Sequence, residues 1–457
     1  MSGRDPQAAP PPPPQFTPPA TSTPLLSAHM SRPVRYRPGE ALLALHRHRG
    51  PMVDAGLGRH GYVYLFGAAA NKFVFANSDA FNWWDAFQAL VPVDGPTALI
   101  VSDGADHRRR RSLVQPAFHQ CHLGDYLQIM AANVDAVIDT WQPGQTVDIF
   151  ARLRSAIRRS AIESLFGQRM VKHSDFLGEQ LQPLMELTHR LPQVLKAEQR
   201  LRSPAWRRAM AAKIRVDELI YAEIAHVRNH PSADGNVLAA LVDGRTEAGE
   251  TLRDDEIRDQ IVSLIAAGYE TTSAAMGWAV YALLTTPGVW ETAANEIRDV
   301  VGGRAPTAAD LKNLTYLNGV VHETLRLYPP AVISARKVIR DLPFAGRRIR
   351  AGRTLVFSPY VTHRLPELWP DPLEFEPRRW DPGFEGYRRP APYEFLPFGG
   401  GTHRCIGSAF ATAELTVMLA RLLARTRLSL SDQRIRAGGY AALQPRHGLV
   451  AHVAELH

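Results

Sequence analysis

The run from residue 254 to residue 285 does most to limit how this chain can fold. Its apolar side chains recur at three- and four-residue spacing, with no proline to interrupt them. At roughly 1.5 Å per residue such a helix is about 48 Å long, enough to cross a whole domain. Everything else must pack around it. Further helical patterns cover 122–141, 147–166, 207–229, 289–301 and 407–426. Strand-like runs are few and short: Tyr62–Phe66 with Lys72–Ala76, then Val338–Ala345 with Thr354–Ser358. No composition break, linker or repeat interrupts residues 36–457, so we expect a mainly α chain. It should be one large helical domain with a small β-sheet region. Residues 1–35 differ: the stretch Ala8–Pro24 is so rich in proline that a disordered, solvated tail is expected there.

Several function classes are excluded early. Hydrophobic residues make up 45% of the chain, which builds a core without disulfides or structural metals, and Cys121 and Cys405 are the only cysteines. A formal charge of +8 would admit a nucleic-acid partner. The basic run Arg108–Arg111 has no interleaved aromatics, however, and no nucleic-acid binding is expected. No apolar run reaches the ~18 residues of a transmembrane helix, and the N-terminus lacks a secretory layout; a cytoplasmic location is expected. Gly56, Gly58 and Gly61 have the spacing of a dinucleotide-binding loop, which must lead into a helix. The residues that follow read as a strand, so a glycine turn into a hairpin is the better reading.

The segment that carries chemistry is Pro397–Gly407, a glycine-rich loop leading through Cys405 into the 407–426 helix. A cysteine at a helix N-terminus lies beside unpaired amides that favour thiolate over thiol. Gly407, without a Cβ, lets a flat group approach closely. A second segment, Ala267-Gly268-Tyr269-Glu270-Thr271-Thr272, interrupts the long helix with a glycine that costs about 1 kcal/mol against alanine. A ligand pressing on the backbone would offset that cost, and the neighbouring acid and hydroxyl could pass it protons. A third, Glu323-Thr-Leu-Arg326, places opposite charges one turn apart; on spacing alone this could equally be a solvated pair. A fourth puts His107 and Arg111 on one helix face, within a run that could equally be a solvated basic surface.

In this order the four segments resemble the signatures of the cytochrome P450 family, over roughly residues 36–457. Phe398, Gly401, His403, Cys405 and Gly407 resemble its haem-binding loop, with histidine where arginine is common. The resemblance implies the cytochrome P450 fold, with haem b between the long helix and the helix after Cys405, and Cys405 as thiolate ligand to the iron. It implies that Gly268 and Phe398 border the haem, and that His107, Arg111, Arg336 and His403 pair with its propionates. Glu270 and Thr271 would relay protons. Glu323 and Arg326, joined by Arg379 from the Phe375–Trp380 segment, would hold the cysteine loop in place. The implied function is that of a soluble, bacterial-type monooxygenase, inserting one atom of O2 into a hydrophobic small molecule such as a terpenoid, steroid or lipid. Electrons would come from a ferredoxin and ferredoxin reductase or a similar pair, with the exposed Arg108, Arg109 and Arg110 available to an acidic donor. A haem-thiolate peroxygenase or isomerase, and a non-catalytic haem protein, are the competing readings.

Overall fold

The computed structural model describes residues 34–56, 58–118, 123–188, 190, 192–230, 236–439 and 442–457. Most of the expected tail, and Cys121, lie outside these residues. The long helix runs from Asp254 to Thr285. Asp254, Asp255 and Glu256 stand in its first turn, where negative charge complements the helix dipole, and Glu256 Oε2 accepts the Arg253 amide at 3.2 Å. Most of its faces are buried, as a helix at the centre of a helical layer must be. It packs against Ile149–Phe166, Pro204–Asn229, Thr315–Leu327 and Ser408–Arg425. At its far end the fully buried Trp278 donates to the Leu443 carbonyl at 2.8 Å and stacks on Tyr328.

The remaining helical expectations hold within a few residues: Leu123–Ile138, Ile149–Phe166, Pro204–Asn229, Val289–Val300 and Ser408–Arg425. Two strand expectations fail, the first of them outright. Lys72–Ala76 belongs to a helix, Ala68–Ala76, because alternating Phe73 and Phe75 imitate a strand while Ala70, Asn71 and Val74 form the buried helical face. Asn71 fastens this face by donating to Thr362 Oγ1 at 3.1 Å and the Tyr393 carbonyl at 3.0 Å.

The main sheet has five strands in the order Met52–Ala55, Tyr62–Leu65, Thr354–Phe357, Ser334–Val338 and Phe81–Asn82. Its first two strands form an antiparallel hairpin, with Met52 opposite Leu65 and Ala55 opposite Tyr62, so the glycine turn joins its two strands instead of leading into a hairpin as expected. The run Val338–Ala345 is not one strand: it ends Ser334–Val338 and then supplies the separate strand Leu342–Phe344. A second sheet joins Thr146–Asp148, Val450–Leu456 and Thr426–Leu430.

Candidate functional site

The cysteine loop is shaped by glycines that no other residue replaces without strain. Gly399 and Gly401 have φ of +64° and +67°. The loop closes on itself, the Cys405 amide donating to the Phe398 carbonyl at 2.9 Å and the Gly399 amide to the Leu396 carbonyl at 3.2 Å. Cys405 therefore stands just ahead of the Ser408–Arg425 helix, with its side chain accessible. The expected preference for thiolate does not follow from the protein alone. The surrounding protein mass pushes the thiol up, and the Gly407 amide with the Arg111 and Arg404 charges only partly offsets it. A cation bound at the sulfur would favour the thiolate again. Among the described residues no group of three or more His, Cys, Asp or Glu could hold a metal ion. A metal ligated by Cys405 must bring its other ligands with it, as an iron macrocycle does.

Two glycines fit such a flat group. Gly407 and Gly268 have negative φ, and a Cβ built at either would meet no protein atom within 4 Å. Neither backbone strain nor protein packing requires glycine at these positions. On the long helix, Leu264, Ala267, Gly268 and Thr271 remain accessible while the residues around them are buried, and their spacing puts all four on one face. Thr271 lies on that face and donates to the Ala267 carbonyl at 2.7 Å. Glu270 does not share the face. It is buried against Ile149–Phe166, where Arg154 holds one carboxylate oxygen and the other has no hydrogen-bond partner.

Cations gather near Cys405. Arg336 is buried over the Trp83 ring, 3.5 Å from its centroid, and burial pushes its guanidinium down to about 9. Trp83 stacks on His403 at 4.1 Å and His403 on His107 at 4.0 Å, so that residues from three distant segments form one pile of rings. Burial, then the charges of His403 and Arg111, lowers His107 to about 3 and keeps it neutral. Arg111 and Arg336 make no ion pair with a carboxylate among the described residues, which suits them to carboxylates carried by a ligand. His403 is already engaged at both ring nitrogens, by the Ser102 carbonyl at 3.0 Å and Thr402 Oγ1 at 3.2 Å. The neighbouring basic run is less solvated than expected. Only Arg108 is freely exposed, because Arg109 and the buried Arg110 both bind the buried Glu256.

Glu323 and Arg326 are fully buried and joined by two parallel bonds of 2.7 and 2.8 Å. Arg379 at 3.3 Å, Trp380 Nε1 at 3.0 Å and the Glu376 amide at 3.0 Å complete the carboxylate's partners. Burial alone would raise this carboxyl, yet Arg326 and Arg379 hold it below its ordinary range. Arg326 also binds the carbonyls of His363, Pro372 and Glu374, so the pair ties together the segment that precedes the cysteine loop.

Two residues were missed by the sequence reading. His363 lies fully buried between the Arg326 carbonyl and the Leu396 amide. Glu414, on the helix after Cys405, is fully buried and burial pushes its carboxyl up to about 8. Neither sits in a local pattern that would single it out.

Comparison with known proteins identifies the family and the fold. A family model described as Cytochrome P450 matches residues 17–438. A Mycobacterium tuberculosis protein named cytochrome P450 139 is 64% identical over 423 residues, 92% of this chain and 98% of that protein. The cyclooctat-9-en-7-ol 5-monooxygenase of Streptomyces melanosporofaciens is 32% identical over 412 residues, 89% of this chain and 88% of its own length. Among solved structures, retinoic acid-bound cyanobacterial CYP120A1 superposes with a TM-score of 0.81 at 25% identity, covering 91% of this chain and 93% of that one.

Proposed function

The chain belongs to the cytochrome P450 family, and we propose that it oxidises a terpenoid-like ring compound, with Cys405 as the thiolate ligand of its haem b. That it is a monooxygenase of hydrophobic molecules, dependent on O2 and a redox partner, follows from the family. The observation that carries the site assignment is the accessible Cys405, which among the described residues has no cluster of metal-ligating side chains around it, in a fold whose central helix keeps a four-residue accessible stripe. The relative named for cyclooctat-9-en-7-ol and the fold match bound to retinoic acid support a bulky, mostly hydrocarbon substrate.

When bound, the haem supplies the oxygen-activating chemistry that no side chain can provide. The chain's own residues do the rest. Arg111 and Arg336 hold the haem carboxylates. His107 stays neutral beside them, and His403 acts mainly through its stack on Trp83 and His107. Gly268 and Phe398 border the macrocycle. The Thr271 hydroxyl, its proton committed to the Ala267 carbonyl, keeps its lone pairs to receive and orient a proton donor. Glu270 is held back by Arg154, and exchange of that partner lets its carboxylate carry protons from the protein exterior toward Thr271. Electrons arrive from a ferredoxin and its reductase, and Arg108 and Arg404 offer exposed charge to an acidic donor.

Spectral titration of the purified protein against terpenoids, steroids and fatty acids tests the substrate class. A terpenoid should displace the Soret band, and turnover with ferredoxin, its reductase and isotopically labelled dioxygen should place one labelled atom in the product. A response to fatty acids alone overturns the substrate class. A Cys405→Ala protein that keeps the thiolate-type carbon monoxide band overturns the ligand assignment.

A further inference from the structure

We propose that a cavity beside the central helix binds a phosphate group, free or carried on a small organic molecule, and that this anion takes Arg154 away from Glu270. The cavity lies between Ile149–Phe166, Ser174–Thr188, the central helix and residues 444–448, and holds about 400 Å³. Small-molecule sites run from about 300 to 1,000 Å³. Arg154, Arg158 and Arg446 line it, and Asp148 is the one carboxylate in its wall among the described residues. Asp148 Oδ1 already accepts the Ala151 amide at 3.2 Å and the Leu449 amide at 3.1 Å. Arg154 and Arg158 stand one turn apart on a single helix, where like charges repel unless an anion lies between them.

The three arginines have donors to spare. Arg154 uses only Nη2, for Glu270 and for the Tyr269 hydroxyl at 3.4 Å, so its Nε and Nη1 have no hydrogen-bond partner among the described residues. Arg158 reaches the exposed Asp175 through Nη2 at 2.7 Å, while its buried Nε has no partner. Arg446 is exposed and makes no ion pair among the described residues. On the facing helix, a Cβ at Gly178 would meet the Arg158 guanidinium at 2.4 Å, so a side chain there would push Arg158 from its place. Gln444 adds a buried Oε1 without a partner, and its amide can turn over to present two donors. Guanidinium groups with an amide beside them form a donor set for phosphate oxygens, and Phe150 and Pro445 give an organic body an apolar wall. Arg154 joins this cavity to Glu270, whose second carboxylate oxygen has no partner. An anion that shares the Arg154 charge loosens Glu270 and frees it to pass protons. That consequence rests on the proposed role of Glu270 in the relay, whereas the anion site does not.

The test is calorimetric titration of the haem-loaded protein with inorganic phosphate and with glycerol phosphate, the ionic strength held constant with sodium chloride. Binding should saturate, and should weaken about tenfold or more in Arg158→Gln and in Arg446→Gln. An unaltered carbon monoxide spectrum shows that these variants remain folded. Tighter binding of glycerol phosphate assigns the site to a carried phosphate; equal or tighter binding of inorganic phosphate assigns it to the free ion. Glu270→Gln removes the charge that competes for Arg154, so by linkage it should bind phosphate several-fold more tightly. In turnover of the wild type, phosphate should raise product per reducing equivalent and lower peroxide. Absence of saturable binding, or binding unaffected by both arginine variants, overturns the site. Equal affinity in Glu270→Gln and wild type overturns the exchange of Arg154. Binding with the expected linkage but unchanged coupling supports the site and its exchange, and overturns instead the proton route through Glu270.

Discussion

His363 links two parts of the molecule whose relative position decides whether Cys405 is correctly presented. Its Nε2 lies 2.9 Å from the Leu396 amide and must accept, so Nδ1 carries the proton and donates to the Arg326 carbonyl at 3.1 Å. Burial, followed by the Arg326 charge, lowers the imidazole to about 3, so this one tautomer persists at neutral pH. Leu396 in turn accepts the Gly399 amide at the first turn of the cysteine loop. Substituting His363→Leu strands a buried amide and a buried carbonyl, each worth about 1–3 kcal/mol, or about 2–6 kcal/mol together. That is a large part of a stability of about 5–15 kcal/mol. His363→Gln can reach one or both partners and should lose less. Denaturant unfolding gives the magnitude, hydrogen exchange at the Leu396 amide gives the location, and the carbon monoxide spectrum reports the thiolate. The pH dependence adds a sign. A histidine lowered on folding contributes stability that is present above its unfolded value near 6.5 and is lost as pH falls toward about 3. By pH 5 the wild-type loss from this group is about 2 kcal/mol, and His363→Leu should lack that part of the decline. A His363→Leu protein within about 0.5 kcal/mol of wild type, with unchanged exchange at Leu396, would refute the reasoning.

Three further outcomes are expected. Glu323→Ala leaves Arg326 buried without its carboxylate and should cost about 3–5 kcal/mol, giving protein that fails to retain haem; normal haem content and melting temperature would count against it. Glu414→Gln should be stabilising in a pH-dependent way. The wild-type carboxyl, pushed up to about 8, gives up stability as pH rises from its unfolded value near 4.5, by about 5 kcal/mol once pH exceeds 8; unfolding curves of the two proteins should coincide near pH 4.5 and diverge toward pH 8. Thr271→Ala should bind haem and substrate normally yet yield less product per reducing equivalent, with peroxide making up the difference; unchanged coupling would remove Thr271 from the proton route.

The residues legible in the sequence were those whose constraint is local. Gly399 and Gly401 announce a loop because positive φ is a property of one residue, and the 254–285 helix was read almost to the residue because its apolar period is contained within itself. Lys72–Ala76 misled for the converse reason. Its two phenylalanines alternate like a strand, while the helix is decided by the preceding alanines and by anchors near positions 362 and 393. Arg109 and Arg110 looked solvated because nothing nearby in the chain could neutralise them; their carboxylate, Glu256, arrives from 146 residues away. The same distance hides His363 and Glu414, one made important by Leu396 and Arg326, the other by the apolar mass around it. Glu323 escaped this rule only because the family resemblance supplied its distant partner Arg379, which spacing could not. What the sequence hides in this fold is therefore long-range pairing, and the side chains most worth changing next are those whose neighbours in space, not in sequence, set their charge.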